Sequence, residues 1–159
     1  MSRVSHTVRN SQVTMHELVL PNDTNNLGNV FGGKVMQYMD LCAAMSAYKF
    51  ARTAVVTASV DRLDFLAPAT VGDMLILKSS VNYTHKTSME IGVRIDAENV
   101  KSGKRRHTAS AYLTFVSLDE DGKPQKISDI IPESKDEKRR YQKGKERHAQ
   151  RIKRLKEKG

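Results

Sequence analysis

Asp40 is the residue whose setting packing alone explains least well. Tyr38, Met39, Leu41, Cys42, Ala43 and Ala44 surround it in the chain, and burying a carboxylate in such company is costly unless it is paired or has a job. Two readings are open: Asp40 shares a solvent-facing stripe with Gln37 and Lys49, or it does chemistry. What precedes it favours the second. Gly32-Gly33 leaves backbone N–H groups unshielded at the entry to a helix, where negative charge, including a developing oxyanion, is favoured. Before the diglycine runs Asn22-Asp23-Thr24-Asn25-Asn26-Leu27-Gly28-Asn29, whose side chains bond their own backbone and favour a loop. A carboxylate, an amide and an open helix N-terminus are the parts needed to hydrolyse an activated acyl group. The competing account of the diglycine is close packing of helix on sheet.

These residues need a frame to position them. Residues 34–52 contain no Gly or Pro and are rich in Ala, Met and Leu, good helix formers. Val35, Met36, Met39, Cys42, Ala43, Met45, Ala47 and Phe50 spread apolar groups around most of the circumference, which predicts a buried central helix. Before it, residues 13–20 read as a strand that Pro21 ends. After it the period switches to two. Residues 53–65, 74–84, 89–97 and 108–118 read as strands, joined by turns at 68–73, 85–88 and 101–104. Short turns imply antiparallel neighbours. The simplest arrangement is an α+β domain over 1–132, one sheet of about five strands curled around the helix, with a partner subunit covering the helix's other face and the sheet edges. Residues 1–10 read as a frayed lead-in.

Charge does not point to the chemistry. The chain has 159 residues, 27 Lys+Arg against 18 Asp+Glu and a net charge of +9. Residues 133–159 hold 12 basic and 5 acidic residues, leaving 15 and 13 in residues 1–132, so the excess is a property of the tail. That tail reads as a basic, solvated, partly frayed helix, with Ala149, Ile152 and Leu155 as a narrow apolar stripe. A nucleic-acid partner is not expected, because the body lacks aromatics interleaved with basic residues. Cys42, the one cysteine, makes no internal disulfide, and a reducing compartment is the default. No apolar run approaches the roughly 20 residues of a membrane span, and the first ten residues lack an apolar signal stretch. A cytoplasmic protein that avoids membranes is expected.

The run Pro21-Asn22-Asp23-Thr24-Asn25-Asn26-Leu27-Gly28-Asn29-Val30-Phe31-Gly32-Gly33-Lys34-Val35-Met36-Gln37-Tyr38-Met39-Asp40 resembles the signature of the hotdog-fold acyl-CoA thioesterases. Val55-Val56-Thr57-Ala58-Ser59-Val60-Asp61, Phe65-Leu66-Ala67-Pro68, Val71-Gly72-Asp73, Lys86-Thr87-Ser88-Met89 and Phe115-Val116 before Asp121-Gly122 follow in the family's order. The likeness spans about residues 10–132, and the ordered set carries it rather than any one motif. It implies a helix wrapped by a curved antiparallel sheet, dimers with sites at the subunit interface, and assembly of three dimers into a hexamer.

The resemblance also implies roles. Asp40 matches the catalytic acid, acting as general base on water or as nucleophile through an acyl anhydride. Asn25 matches an amide from the other subunit that orients the water or the thioester. The N–H of Gly33, with Gly32, would hold the oxyanion. Thr57 would face the thioester, although it is equally an ordinary β-branched strand residue. Thr87 and Ser88 would meet the pantetheine or phosphates, although they also suit a plain hairpin turn. Lys104-Arg105-Arg106 is read as a solvated cluster or a phosphate contact. Coenzyme A enters only as part of the substrate, and no other cofactor is implied.

The rivals are a module that binds acyl-CoA or a nucleotide without hydrolysis, and a hotdog dehydratase. The dehydratase wants a histidine between Asn22 and Asp40, where there is none. Cys42 is read as core, because two residues from Asp40 it points elsewhere on a helix. The five histidines show no metal-ligand spacing, so no metal is expected.

Overall fold

In the computed structural model, which describes residues 6–158, five strands form one antiparallel sheet around a long helix. Of the expected lead-in, residues 1–5 lie outside the described residues, and part of the rest is helical rather than frayed. Val8–Ser11 form a single helical turn, α1, with both end residues buried. The buried Ser11 hydroxyl accepts the Val81 N–H at 2.9 Å, satisfying a backbone group that lies beyond the last β1–β3 pair, Val13 with Ser79.

The remaining elements are β1 (Val13–Leu18), α2 (Gly32–Ala51), β2 (Ala54–Phe65), β3 (Met74–His85), β4 (Ser88–Glu98), β5 (Arg105–Leu118) and α3 (Lys135–Lys158). The sheet order is β1-β3-β4-β5-β2. Short connections were expected to join sheet neighbours, and β2 and β3 depart from this: β2 pairs with β5 and lies at the opposite side from β1. The 66–73 connection is a crossing rather than a hairpin. Its start bonds to Thr108, its middle accepts the Val30 N–H through Ala69, and its end exchanges bonds with Val19. It thus runs from the β5 side to the β1–β3 side and braces the loop before α2 on the way.

Strand alternation sorts the two faces. Leu75, Leu77, Val81, Met89, Ile91, Ile95, Ala109, Leu113 and Phe115 are buried in one core cluster with Val35, Met39, Cys42, Ala43 and Ala47 of α2. The helix was expected to be buried nearly all round. In one chain only one side is buried, and Met36, Leu41 and Tyr48 are 44%, 51% and 50% exposed. An apolar helix side left open beside the free edge of the 12-residue strand β2 is the surface that a second subunit was expected to cover.

The basic tail differs most from its reading. It is a helix of 24 residues packed on the convex face of the sheet, and its docking side is not the apolar stripe. Ile152 and Leu155 face solvent. Tyr141, Gly144, Arg147, His148 and Arg151 face the sheet instead. The Tyr141 and Tyr83 rings meet edge to face with centroids 5.1 Å apart. Gly144 passes so close that a Cβ there would stand 2.8 Å from Tyr83 Cβ. Arg147 Nε donates to Glu90 at 2.7 Å, with its guanidinium 3.6 Å from the Tyr112 ring centre. Arg151 and Arg154 reach Asp61 at 3.6 and 3.9 Å.

His148 sits under this helix with its ring 4.5 Å from that of His85. Burial pushes its pKa below the usual value, and the neighbouring His85 and Arg151 push it the same way. A depressed pKa gives stability that is present above the unfolded value, near 6.5, and is lost as pH falls through the folded value. The melting temperature is therefore expected to drop on acidification below about pH 6.5, and His148→Phe is expected to flatten that slope in scans from pH 8 to 5. Superimposable slopes would remove His148 from the account.

Candidate active site

The α2 N-terminus is open. Its N-cap, Phe31, offers no side-chain acceptor. The Lys34 and Val35 N–H groups both turn back to the Phe31 carbonyl, at 3.0 and 3.1 Å, leaving the Gly32 and Gly33 N–H groups among the first-turn donors with no intrahelical partner. Close packing does not explain the diglycine. A Cβ added at Gly33 would meet nothing within 4 Å, and one at Gly32 only the Phe65 ring at 3.5 Å, ordinary contact.

Asp40 is half-buried and does not share a purely solvent stripe with Lys49, whose Nζ is held by the Gln12 carbonyl at 2.8 Å. It faces β2, where the Thr57 hydroxyl donates to Asp40 Oδ1 at 2.7 Å. Around the pair lies a pocket of about 320 Å³, lined by Gly33, Met36, Gln37, Asp40, Thr57 and apolar side chains of β2 and β5. Gly33, Asp40 and Thr57, singled out from the sequence, thus come together in one chain, in an apolar cavity with a few convergent polar groups.

Two bulges in β2 set the wall. The register against β5 slips between Thr57 and Ser59 and again between Val60 and Arg62. Each slip inserts a residue and re-aims those that follow. As a result Thr57, Val60 and Leu63, three apart, line the pocket, while Ser59 and Asp61 turn to the convex side, where Thr114 donates to Asp61 at 2.6 Å. Val60, Leu63 and Gln37 were missed as pocket residues. The break of period two in residues 57–63 was the available signal for the first two.

Asn25 is not in this pocket. It anchors a tight loop: its Oδ1 accepts the Leu27 and Asn29 N–H groups at 2.9 and 3.2 Å, its own N–H donates to the Asn29 carbonyl at 2.8 Å, and Gly28 takes φ +79°. With Oδ1 occupied by two donors, the amide presents Nδ2. Its free capacity is that of a hydrogen-bond donor.

Thr87 and Ser88 are not brought to the Asp40 pocket either. They lie in the β3–β4 turn, where Lys86 takes φ 53°, Ser88 Oγ donates to the His85 carbonyl at 3.1 Å and the Thr87 carbonyl accepts the Ser117 N–H. The basic cluster is engaged locally: Arg105 pairs with Glu98 at 2.8 Å, and Arg106 binds Asp73 at 2.5 Å and the Pro68 carbonyl. Cys42 is buried and donates to Ser79 Oγ at 3.3 Å, and burial raises its thiol pKa, as suits a core residue. Among the described residues no three His, Cys, Asp or Glu side chains are grouped so as to hold a metal, and no helix is long and apolar enough to cross a membrane.

The family model of the thioesterase superfamily matches residues 27–104. The chain is 40% identical over 129 residues to an uncharacterized acyl-CoA thioester hydrolase of Bacillus subtilis, covering 81% of this chain and 75% of that protein. It is 40% identical over 147 residues to the mouse cytosolic acyl coenzyme A thioester hydrolase, spanning 91% of this chain but only 39% of that protein's length. Among solved structures, a hexameric acyl-CoA thioesterase superposes with a TM-score of 0.91 at 46% identity, over 95% of this chain and 97% of that one. An acyl-CoA hydrolase of Staphylococcus aureus, solved with butyryl coenzyme A and coenzyme A, superposes at 0.89 with 38% identity over 96% and 93%. That enzyme has also been solved as alanine variants of an asparagine, an aspartate and a threonine, whose spacing along its chain equals that of Asn25, Asp40 and Thr57.

Proposed function

The chain belongs to the thioesterase superfamily, as a hotdog-fold acyl-CoA thioesterase, and from that premise we propose that it hydrolyses acyl-CoA to a carboxylate and free coenzyme A at a site built on Asp40. The observation that carries the reading is the 2.7 Å Thr57–Asp40 hydrogen bond inside the pocket that Gly33 lines. Thr57 fixes Oδ1 and leaves Oδ2 for chemistry. As general base, Oδ2 takes a proton from water as the oxygen attacks the thioester carbonyl. The negative charge then developing on the carbonyl oxygen meets the Gly33 N–H at the helix N-terminus. Collapse breaks the C–S bond, and the proton held by Asp40 passes to the departing thiolate. A non-hydrolytic binder would need no carboxylate held in this way.

In this reading Asn25 of a second subunit supplies Nδ2 as a donor to the water or to the thioester oxygen. The exposed side of α2 and the free edge of β2 support a dimer, and the likeness to a hexameric acyl-CoA thioesterase supports three such dimers in a hexamer. Any contact of Thr87 and Ser88 with the phosphate end of the substrate likewise requires another subunit to carry that turn to the pocket. A cytoplasmic setting fits the lone buried thiol. Nucleic acid is given no part in it, because the body lacks aromatics interleaved with basic residues and Arg147 and Arg151 of the tail are engaged with carboxylates of the sheet.

The test is thiol release from acyl-CoA substrates of graded chain length. Asp40→Asn and Asn25→Ala are expected to be nearly inactive alone. Subunits of the two, unfolded and reassembled together, are expected to recover about a quarter of wild-type activity, because random pairing gives half mixed dimers with one intact site each. An inert wild-type protein across the whole series would overturn the function. Absence of recovery with an active wild type would overturn only the shared site.

A further inference from the structure

The convex face of the sheet carries a second groove, about 580 Å³ in volume, on the opposite side from Asp40. Gly92 of β4 and Asn82 of β3 form its floor, and Lys78, Arg94 and Arg140 stand around it, the last contributed by α3. None of the described residues lining it is a carboxylate. Elsewhere on this face cations are matched: Arg147 has Glu90, Arg151 has Asp61 and Arg105 has Glu98. Around the groove Lys78 and Arg140 have no ion pair among the described residues. Arg94 shares Asp96, at 3.1 Å, whose side chain lies outside the lining.

The floor shows that the groove is built rather than left over. The β3–β4 register slips between Val81 and Tyr83, which makes Asn82 the extra residue of a bulge, and a bulge re-aims a side chain. Here it lays the amide across Gly92, where any Cβ would stand 2.8 Å from Asn82 Nδ2. Both the bulge and the glycine are needed for that placement. Asn82 is only 4% exposed, yet its amide has no hydrogen-bond partner among the described residues. In Asn25 and Asn99 the side-chain oxygen is taken by N–H groups of their own loops, whereas the Asn82 amide is left open to the groove that it lines.

We propose that this groove binds a phosphate-bearing anion, with Lys78, Arg94 and Arg140 meeting its charge and Asn82 Nδ2 donating to a phosphate oxygen. The volume lies within the range of about 300–1,000 Å³ usual for small-molecule sites. The proposal does not depend on the hydrolase reading. The phosphate belongs either to a separate small molecule or to the phosphate end of a coenzyme A held by another subunit, and the recognition chemistry is the same for both.

Calorimetric titration of the full chain with inorganic pyrophosphate tests it, with the oligomeric state followed by light scattering. Wild type is expected to bind. Asn82→Leu is expected to bind about tenfold more weakly or worse, as is Lys78→Glu at an exposed position where folding is not at risk. A repeat with saturating coenzyme A separates the two sources: displacement identifies the phosphates of coenzyme A, and undisturbed binding identifies a separate anion. Either result supports the site. No binding by wild type, or binding that survives both substitutions, overturns it. If wild type fails to bind and Lys78→Glu changes the oligomeric state, the face is a subunit interface instead.

Discussion

Asp40→Asn is expected to lower kcat for acyl-CoA hydrolysis by roughly 10²–10⁴-fold, the usual contribution of a positioned general base, with little change in KM or in melting temperature. The substitution is nearly isosteric, and its Oδ1 still accepts the Thr57 hydroxyl, now bonded to Asp40 at 2.7 Å. The pocket wall therefore stays in place. What is lost is the capacity of the other oxygen to take a proton or to attack, since an amide does neither at neutral pH. That interaction is made only as the reaction proceeds, so its loss falls on kcat rather than on substrate binding. The side chain is half-buried and belongs to no ion pair among the described residues, so removing its charge leaves no cation stranded. Steady-state thiol release and a thermal melt on the same preparation give both numbers. Full activity in the variant would take Asp40 out of the chemistry. A collapse of the melting temperature would show that the carboxylate holds α2 against β2 instead.

The parts of this site differ in how far the sequence reveals them. Gly33 and Asp40 stand seven positions apart on a continuous helix, two turns along one face, and the lack of a capping side chain before the diglycine is visible in the letters. Thr57 is visible only as a strand residue. That Val60 and Leu63 join it on the pocket side depends on bulges, and a bulge is decided by what opposes the strand. The same holds for the order of the sheet. The 66–73 segment reads as a turn, and only its bonds to Thr108, Val30 and Val19 show that it crosses. Asn25 is legible as a loop former, and in a single chain it lies outside the pocket, so a role in the proposed shared site depends on a second molecule that no single sequence displays.

The tail is the helix its sequence suggests, but its docking side was missed for a physical reason. Hydrophobic periodicity finds helices that dock through apolar stripes, and α3 docks through tyrosine, glycine, histidine and arginine. Its receptors, Glu90 and Asp61, occupy alternating positions that normally face water. An isolated Glu90 on such a strand signals solvent, and only the arrival of Arg147 makes it a buried partner.

Arg147→Met is therefore expected to destabilise the protein by about 3 kcal/mol at pH 8, near the low end for breaking a buried ion pair, because the Arg147 side chain is still 24% exposed. Glu90 is 6% exposed. Its Oε1 accepts from Arg147, and its Oε2 has no partner among the described residues. Burial pushes its carboxyl above the usual range, the hydrogen bond and charge of Arg147 pull it back, and Asp61 adds to the upward push. Taking Arg147 away leaves desolvation and Asp61 unopposed, so the folded-state pKa rises further. A carboxyl whose folded pKa exceeds its unfolded value favours the fold below the unfolded pKa, and that contribution is lost as pH rises through the folded value. The deficit of Arg147→Met should thus shrink between pH 8 and pH 5.5. Glu90→Gln keeps the shape and removes the charge that must be buried, and is expected to cost less than Arg147→Met at pH 8. The double variant should recover much of the loss, because an apolar or neutral pair in this space leaves no uncompensated carboxylate. Denaturant unfolding of the four proteins at both pH values decides the matter. If Arg147→Met loses as much at pH 5.5 as at pH 8, the arginine acts through its packing on Tyr112 rather than through Glu90. If Glu90→Gln is the more damaging of the two, the ion pair itself, rather than the avoidance of a stranded charge, holds α3 to the sheet.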